Sequence, residues 1–168
     1  MLLLTGRKGR WLRWFVLALL GSVALPWACF LFDSRITVPV EGVPSTRLVS
    51  TFGAPRDGGR RSHEGTDIFA RRGTPVRSAG WGVVVYRGTL RLGGKVVFVL
   101  GQGGILCYYA HLDGWADGLQ VGDLVRRGTL VGRVGNTGNA AMTRPHLHFE
   151  TRPAAFGFSA IDPVTALR

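Results

Sequence analysis

Lysine, cysteine and acidic residues are scarce in this 168-residue chain. The only cysteines are Cys29, in an apolar N-terminal run, and Cys107, in an expected strand. Two such residues build no disulfide framework and leave the redox compartment open. The 10 acidic residues all follow Phe32 and face 21 basic ones, for a net charge of +11. Arg7, Lys8, Arg10 and Arg13 precede the apolar run, and from Asp33 onward 17 basic residues oppose 10 acidic, a net +7. A basic surface can attract nucleic acid, anionic lipid or an acidic polymer. The arginines here are scattered among turns and strand edges, with no basic helix and no Lys/Arg run interleaved with aromatics. Nucleic acid is therefore not expected as a partner. A solvated basic surface is the plain reading, and attraction to an anionic wall polymer comes next. The 25 glycines, with the aromatics and branched aliphatics, argue for one folded, turn-rich domain.

Charge is absent altogether from Trp14 to Phe32, a run of 19 residues. That length spans a hydrocarbon core as a helix, and Gly21, Ser22 and Pro26 are tolerated there. The basic cluster before it predicts a cytoplasmic segment 1–13, a single membrane-spanning anchor 14–32, and everything after Asp33 outside the membrane. The competing expectation is a cleaved signal peptide, since Ser22-Val23-Ala24 has the form of a cleavage site. Cleavage there would leave Trp27, Phe30 and Phe32 as an apolar tail, which favours the retained anchor. Residues 33–45, with Pro39, Gly42 and Pro44, read as a linker reaching at most about 45 Å. The domain proper is expected over 46–168.

Within that domain the pattern is mostly antiparallel β. Short strands are expected at Leu48–Gly53, within Val76–Arg87, at Val96–Leu100, Ile105–His111, Val121–Val125 and Leu130–Val134. Ala54–Ser62 reads as a surface loop, Gln102-Gly103-Gly104 as a hairpin connection and Asn136–Asn139 as a turn. Asp162-Pro163 can start one short terminal helix, with Asp162 as its cap. Arg71–Val76 matches Arg126–Val131 in five of six positions, a faint internal repeat.

The four histidines fall at three places: His63, His111, and the pair His146 and His148. In a strand Pro145–Glu150 the two paired histidines share one face, about 6.5–7 Å apart, with Leu147 and Phe149 on the other. One face suits chemistry and the other a core. His63 and Asp67 are four residues apart. On a straight strand they would lie roughly 13 Å apart, so joint ligation needs a bend, which Gly65 can supply. Two imidazoles and a carboxylate suit Zn²⁺ with an open position for water, and further histidines can move a proton and stabilise an oxyanion.

Taken in order, Ser50-Thr51-Phe52-Gly53, His63-Glu64-Gly65-Thr66-Asp67, Tyr109-Ala110-His111-Leu112, Val121-Gly122-Asp123 with Gly128, Gly135-Asn136-Thr137-Gly138 and His146-Leu147-His148-Phe149-Glu150 resemble the lysostaphin-type zinc endopeptidases, the M23 or LytM-like peptidases that cut the peptide part of bacterial peptidoglycan. The resemblance runs from about Leu48 to Thr151. It implies a compact antiparallel β-sandwich-like domain with a duplicated hybrid motif and a groove, here behind one N-terminal transmembrane helix. It implies one Zn²⁺ held by His63, Asp67 and His148, with His111 and His146 as the catalytic pair. Glu150 is expected to support a ligand rather than act as base, and Glu64 to be solvated. The chain departs from the common pattern at Gly93-Gly94-Lys95, where many relatives have Gly-Asn, and in the loop 139–145, which is about two residues longer.

Two other readings compete with this one. A non-catalytic or gated relative that binds wall and activates a peptidoglycan amidase usually lacks part of the metal set, whereas this chain keeps all five residues. Val121–Gly128 also resembles the turn of biotinyl and lipoyl carrier domains, but those need a lysine to bear the group. Lys8 precedes the apolar run and Lys95 lacks the usual flanking residues.

Overall fold

The computed structural model describes residues 36–167; the expected membrane anchor and the cytoplasmic segment lie outside them. Ten strands form: β1 (Pro55–Arg56), β2 (Arg61–Ser62), β3 (Thr66–Phe69), β4 (Pro75–Arg77), β5 (Gly82–Leu90), β6 (Gly94–Gly101), β7 (Ile105–Trp115), β8 (Leu124–Val125), β9 (Leu130–Val134) and β10 (His146–Pro153). Among the described residues there is no α-helix, only short 3-10 turns. The expected terminal helix is one such turn, Pro163–Thr165, capped by Asp162, whose carboxylate accepts from the Val164 N–H.

Every strand pair is antiparallel, so the mostly β expectation holds. The main sheet runs β3-β10-β7-β6-β5-β8. β7 is long enough to serve three partners: its first part pairs with β6 and β10, and from Leu112 onward, across a register shift at Leu112/Gly114, it pairs with β9. It therefore continues to Trp115, past the end at His111 expected for that strand. β4 and β9, which carry the ends of the two repeat copies, pair with each other. The two turns make matching bonds, Gly73 N–H to Val134 O and Gly128 N–H to Ser78 O.

The period-two pattern of β10 decides what it buries. Leu147 and Phe149 are fully buried with Ile68, Tyr109 and Leu112, while His146, His148 and Glu150 face the other way. Each of those two apolar side chains contributes about 1.5–3 kcal/mol by leaving water. Burying that face fixes the register of β10 between β3 and β7, because a one-residue slip would put the histidines into the core.

Two expectations change. Leu48–Gly53 is not a strand. Its polar groups turn instead towards the segment that follows β2: Gly53 N–H bonds the His63 carbonyl and the Thr51 hydroxyl accepts from Asp67 N–H. Part of the expected linker also belongs to the packed domain, since Ile36 and Val40 are buried and Val40 bridges to Val76 on β4.

Candidate metal centre

Asp67 on β3 and His148 on β10 are directly opposite in register, and Ala110 on β7 opposes His148 from the other side. His111 is the next residue along β7. His63 enters from the segment between β2 and β3. Gly65 makes that approach possible by lacking a side chain: a Cβ there would lie 2.4 Å from the Phe149 carbonyl oxygen and 2.9 Å from His148 Cε1. Its φ is not in the left-handed region, so what the bend needs from glycine is room, not handedness.

Three donor atoms converge. His63 Nε2 lies 2.9 Å from His148 Nδ1 and 3.0 Å from Asp67 Oδ1, and His148 Nδ1 lies 3.1 Å from the same oxygen. His146 Nε2 is 3.8 Å from that oxygen. The His111 ring centroid stands 5.0 Å from that of His146 and 5.8 Å from that of His148.

The outward nitrogens explain the orientation. His63 Nδ1–H donates to the Thr51 carbonyl (2.7 Å), His111 Nδ1–H to the Thr137 carbonyl (2.9 Å), and His146 Nδ1–H to the Arg144 carbonyl (2.8 Å). His148 Nε2–H donates to the Glu150 carboxylate (2.8 Å). These partners only accept, so each ring keeps its proton outside and a lone pair inside. Two nitrogen lone pairs and an anionic oxygen within 3.1 Å repel one another unless a cation sits among them. A tetrahedral zinc with bonds of about 2.0–2.2 Å separates its ligands by about 3.3 Å, so the set of His63, Asp67 and His148 fits that ion.

Electrostatics follow the same layout. Burial works to raise the Asp67 carboxyl, but with protons in place of a metal on the inner nitrogens, hydrogen bonds from His148 and His63 outweigh it and hold it well below the usual carboxylate range. Burial lowers His148, and the Asp67 and Glu150 carboxylates more than reverse this, leaving it raised. His111 is pushed down to about 4, first by burial and then by the neighbouring His148 and His146, so its ring is neutral at neutral pH.

The sequence did not point to several supports. Arg56 Nη2 donates to Asp67 Oδ2 at 2.8 Å from the loop holding β1. Behind His148, Glu150 also accepts from Arg152 Nε (2.6 Å), and Arg152 Nη2 reaches Glu64 (2.5 Å). Glu150 thus has the supporting place expected for it, while Glu64, expected to be solvated, holds an arginine at an exposed position. His111 takes φ +62°, in the left-handed region. Its N–H bonds the Gly93 carbonyl, which with the Thr137 bond fixes that backbone. The Gly93-Gly94 departure also has a steric reason, because a Cβ on Gly94 would lie 2.1 Å from Thr137 Oγ1. The centre opens into a groove of about 1000 Å³ walled by the β1–β2 loop, the β5–β6 turn and the loop 139–143.

A β-domain with a half-buried two-imidazole, one-carboxylate cluster in a groove defines a candidate metal-dependent hydrolase. The chain belongs to peptidase family M23, which it matches over residues 61–163. It is 43% identical over 106 residues to an L-Ala–D-Glu endopeptidase of Bacillus subtilis strain 168, covering 60% of this chain and 32% of that protein. It is 36% identical over 110 residues to a glycyl-glycine endopeptidase of Staphylococcus capitis, covering 64% and 29%. Among solved structures it is similar to a zinc-containing peptidase from Vibrio cholerae, with a TM-score of 0.59, 29% identity, and coverage of 70% of this chain and 36% of that one. The chain thus spans about a third of the length of these relatives.

Proposed function

We propose that this domain is a zinc-dependent endopeptidase that hydrolyses peptide cross-links or stem peptides of bacterial peptidoglycan, with one Zn²⁺ per chain. One observation carries the reading: the inward donor atoms of His63, Asp67 and His148 lie within 3.1 Å of one another, beside two more imidazoles. We assign His63 Nε2, Asp67 Oδ1 and His148 Nδ1 as ligands and His111 and His146 as the catalytic pair. When bound, zinc lowers the pKa of a water molecule to about 7 and polarises a carbonyl.

The remaining work belongs to the chain. His111, neutral because it is buried, offers Nε2 to receive the proton of the attacking water. His146 presents Nε2 beside the same cluster, with Nδ1 anchored on Arg144. Water oxygen bonds to the carbonyl carbon, the peptide C–N bond breaks, and the proton passes from imidazole to the departing nitrogen. A ring that has taken the proton is also an N–H donor to the oxyanion. The family membership, the donor set and the likeness to a zinc-containing peptidase support this reading. The relatives named for L-Ala–D-Glu and glycyl-glycine bonds support wall peptide as the substrate class.

From the sequence alone we further propose that 1–13 is cytoplasmic, that 14–32 anchors the chain as a single-pass helix, that 33–45 includes the tether, and that the domain from 46 onward works outside the cytoplasmic membrane. The paired turns at Gly73 and Gly128 support the duplicated, sandwich-like motif. The test uses the full chain. Its bound metal is quantified, then it is incubated with purified peptidoglycan, with and without chelator, and released peptides are identified by mass spectrometry. About one zinc and chelator-sensitive release are expected. Zinc without release would favour the amidase-activating alternative, and absence of zinc would overturn the ligand assignment.

A further inference from the structure

The groove is lined by four arginines, Arg56, Arg61, Arg91 and Arg152, and by three carboxylates, Glu64, Asp67 and Glu150. Nearly all of this charge is already used. Arg56 bonds Asp67, Arg152 bonds Glu150 and Glu64, and Arg61 bonds Asp57 outside the lining. Among the described residues, Arg91 is the groove cation that makes no hydrogen bond or ion pair, and it is exposed.

Its backbone is nevertheless fixed to the centre. Arg91 occupies the turn between β5 and β6. The next carbonyl, Leu92 O, accepts from Asn139 N–H (2.9 Å), and Gly93 O accepts from His111 N–H (2.7 Å). Lys95 N–H then bonds the Thr137 hydroxyl (2.9 Å). Thr137 is also the residue whose carbonyl orients the His111 ring. An unpaired guanidinium thus stands on a turn tied by two hydrogen bonds to the groups that place His111. The Asp57 carboxyl is lowered first by its hydrogen bond from Arg61, with smaller contributions from the charges of Arg60 and Arg91.

We propose that Arg91 binds a free carboxylate of the peptide substrate, so that the groove selects acidic stem peptides over neutral glycine bridges. This rests on the hydrolase reading above. Guanidinium and carboxylate match in a bidentate geometry, and the ligand carboxylate finds here a guanidinium that no internal carboxylate holds in a hydrogen bond, since nearby Asp57 is bonded to Arg61. At an exposed rim such a contact favours binding more than turnover.

The test compares two synthetic peptides that differ only in a carboxylate or its primary amide, cleaved by the full zinc-loaded chain. The wild type is expected to prefer the carboxylate form by about two- to fivefold in kcat/KM, mainly through KM, with the preference shrinking at high salt. Arg91→Gln should bring the ratio near one, chiefly by raising KM for the carboxylate form. Arg91→Lys should retain part of it, and Arg91→Glu should reverse it. A wild-type ratio preserved in Arg91→Gln would overturn the proposal. Binding of both peptides is also measured by calorimetry. If no peptide is cut but the carboxylate form binds better and Arg91→Gln abolishes the difference, the hydrolase reading fails and the Arg91 site stands. Equal binding of both peptides to the wild type would overturn the site.

Discussion

Arg56 and Asp67 share one hydrogen bond that divides the carboxylate into two jobs. Oδ2 accepts from the guanidinium at 2.8 Å, while Oδ1 turns to His63 and His148 at 3.0 and 3.1 Å. Arg56 lies outside the segment that matches the family. Removing it frees the carboxylate to rotate. Arg56→Ala is expected to weaken zinc retention by about tenfold, measured by competition with a chromogenic chelator, and Arg56→Lys to restore part of it. Unchanged affinity in Arg56→Ala would show that the bond only secures the loop.

Ligands and proton carriers separate in a metal assay. His63→Ala, Asp67→Ala and His148→Ala should lose both metal and turnover. His111→Ala and His146→Ala should keep the metal and lose at least about 100-fold in kcat. Metal content by atomic absorption beside peptide release decides it, and loss of zinc from His146→Ala would move that residue into the ligand set.

Gly65→Ala should damage the domain and the centre together. The new methyl would meet the Phe149 carbonyl oxygen, Glu150 Cγ and His148 Cε1 at 2.4–2.9 Å. A loss of about 1–3 kcal/mol in stability is expected, read by denaturant unfolding, with weaker zinc binding in the same protein. A stable variant with normal zinc affinity would refute the close-packing account.

Alkali should loosen the core. Burial pushes the Cys107 thiol up to about 12 and raises the Tyr109 hydroxyl well above its ordinary value. Both stay neutral in the fold but ionise at about 8.5 and 10 in the unfolded chain. A raised folded pKa gives stability that is complete below the unfolded value and is lost as pH rises towards the folded one. Tm should therefore fall from about pH 8.5 upward, and Cys107→Ala should flatten the first part of that decline. In a Cys29→Ser background the remaining thiol should resist a disulfide reagent at pH 8 until the protein unfolds.

What could be read from the sequence was set by side-chain chemistry. The alternation of β10 separated Leu147 and Phe149 from His146 and His148, and the spacing of His63 and Asp67 required a bend. The structure brings the three histidines and Asp67, with His111, to one place. What escaped was carried by the backbone or by distant loops. Thr51, Thr137 and Arg144 act through their carbonyls, which no residue type advertises. Arg56 comes from a loop whose composition signalled only turns. Leu48–Gly53 has the pattern of a strand, but it forms no backbone ladder, and its polar groups serve the residues around His63.

The pairing of β3 with β10 also has a consequence for synthesis. His63 and His148 are 85 residues apart and Asp67 and His148 are 81 apart, although they touch. At roughly 5–20 residues per second, several seconds of translation separate the first donor from the last. Closing so long a stretch of chain is slow compared with forming a hairpin. No nascent chain that stops short of His148 can assemble the cluster, so the three donors come together only in one late step.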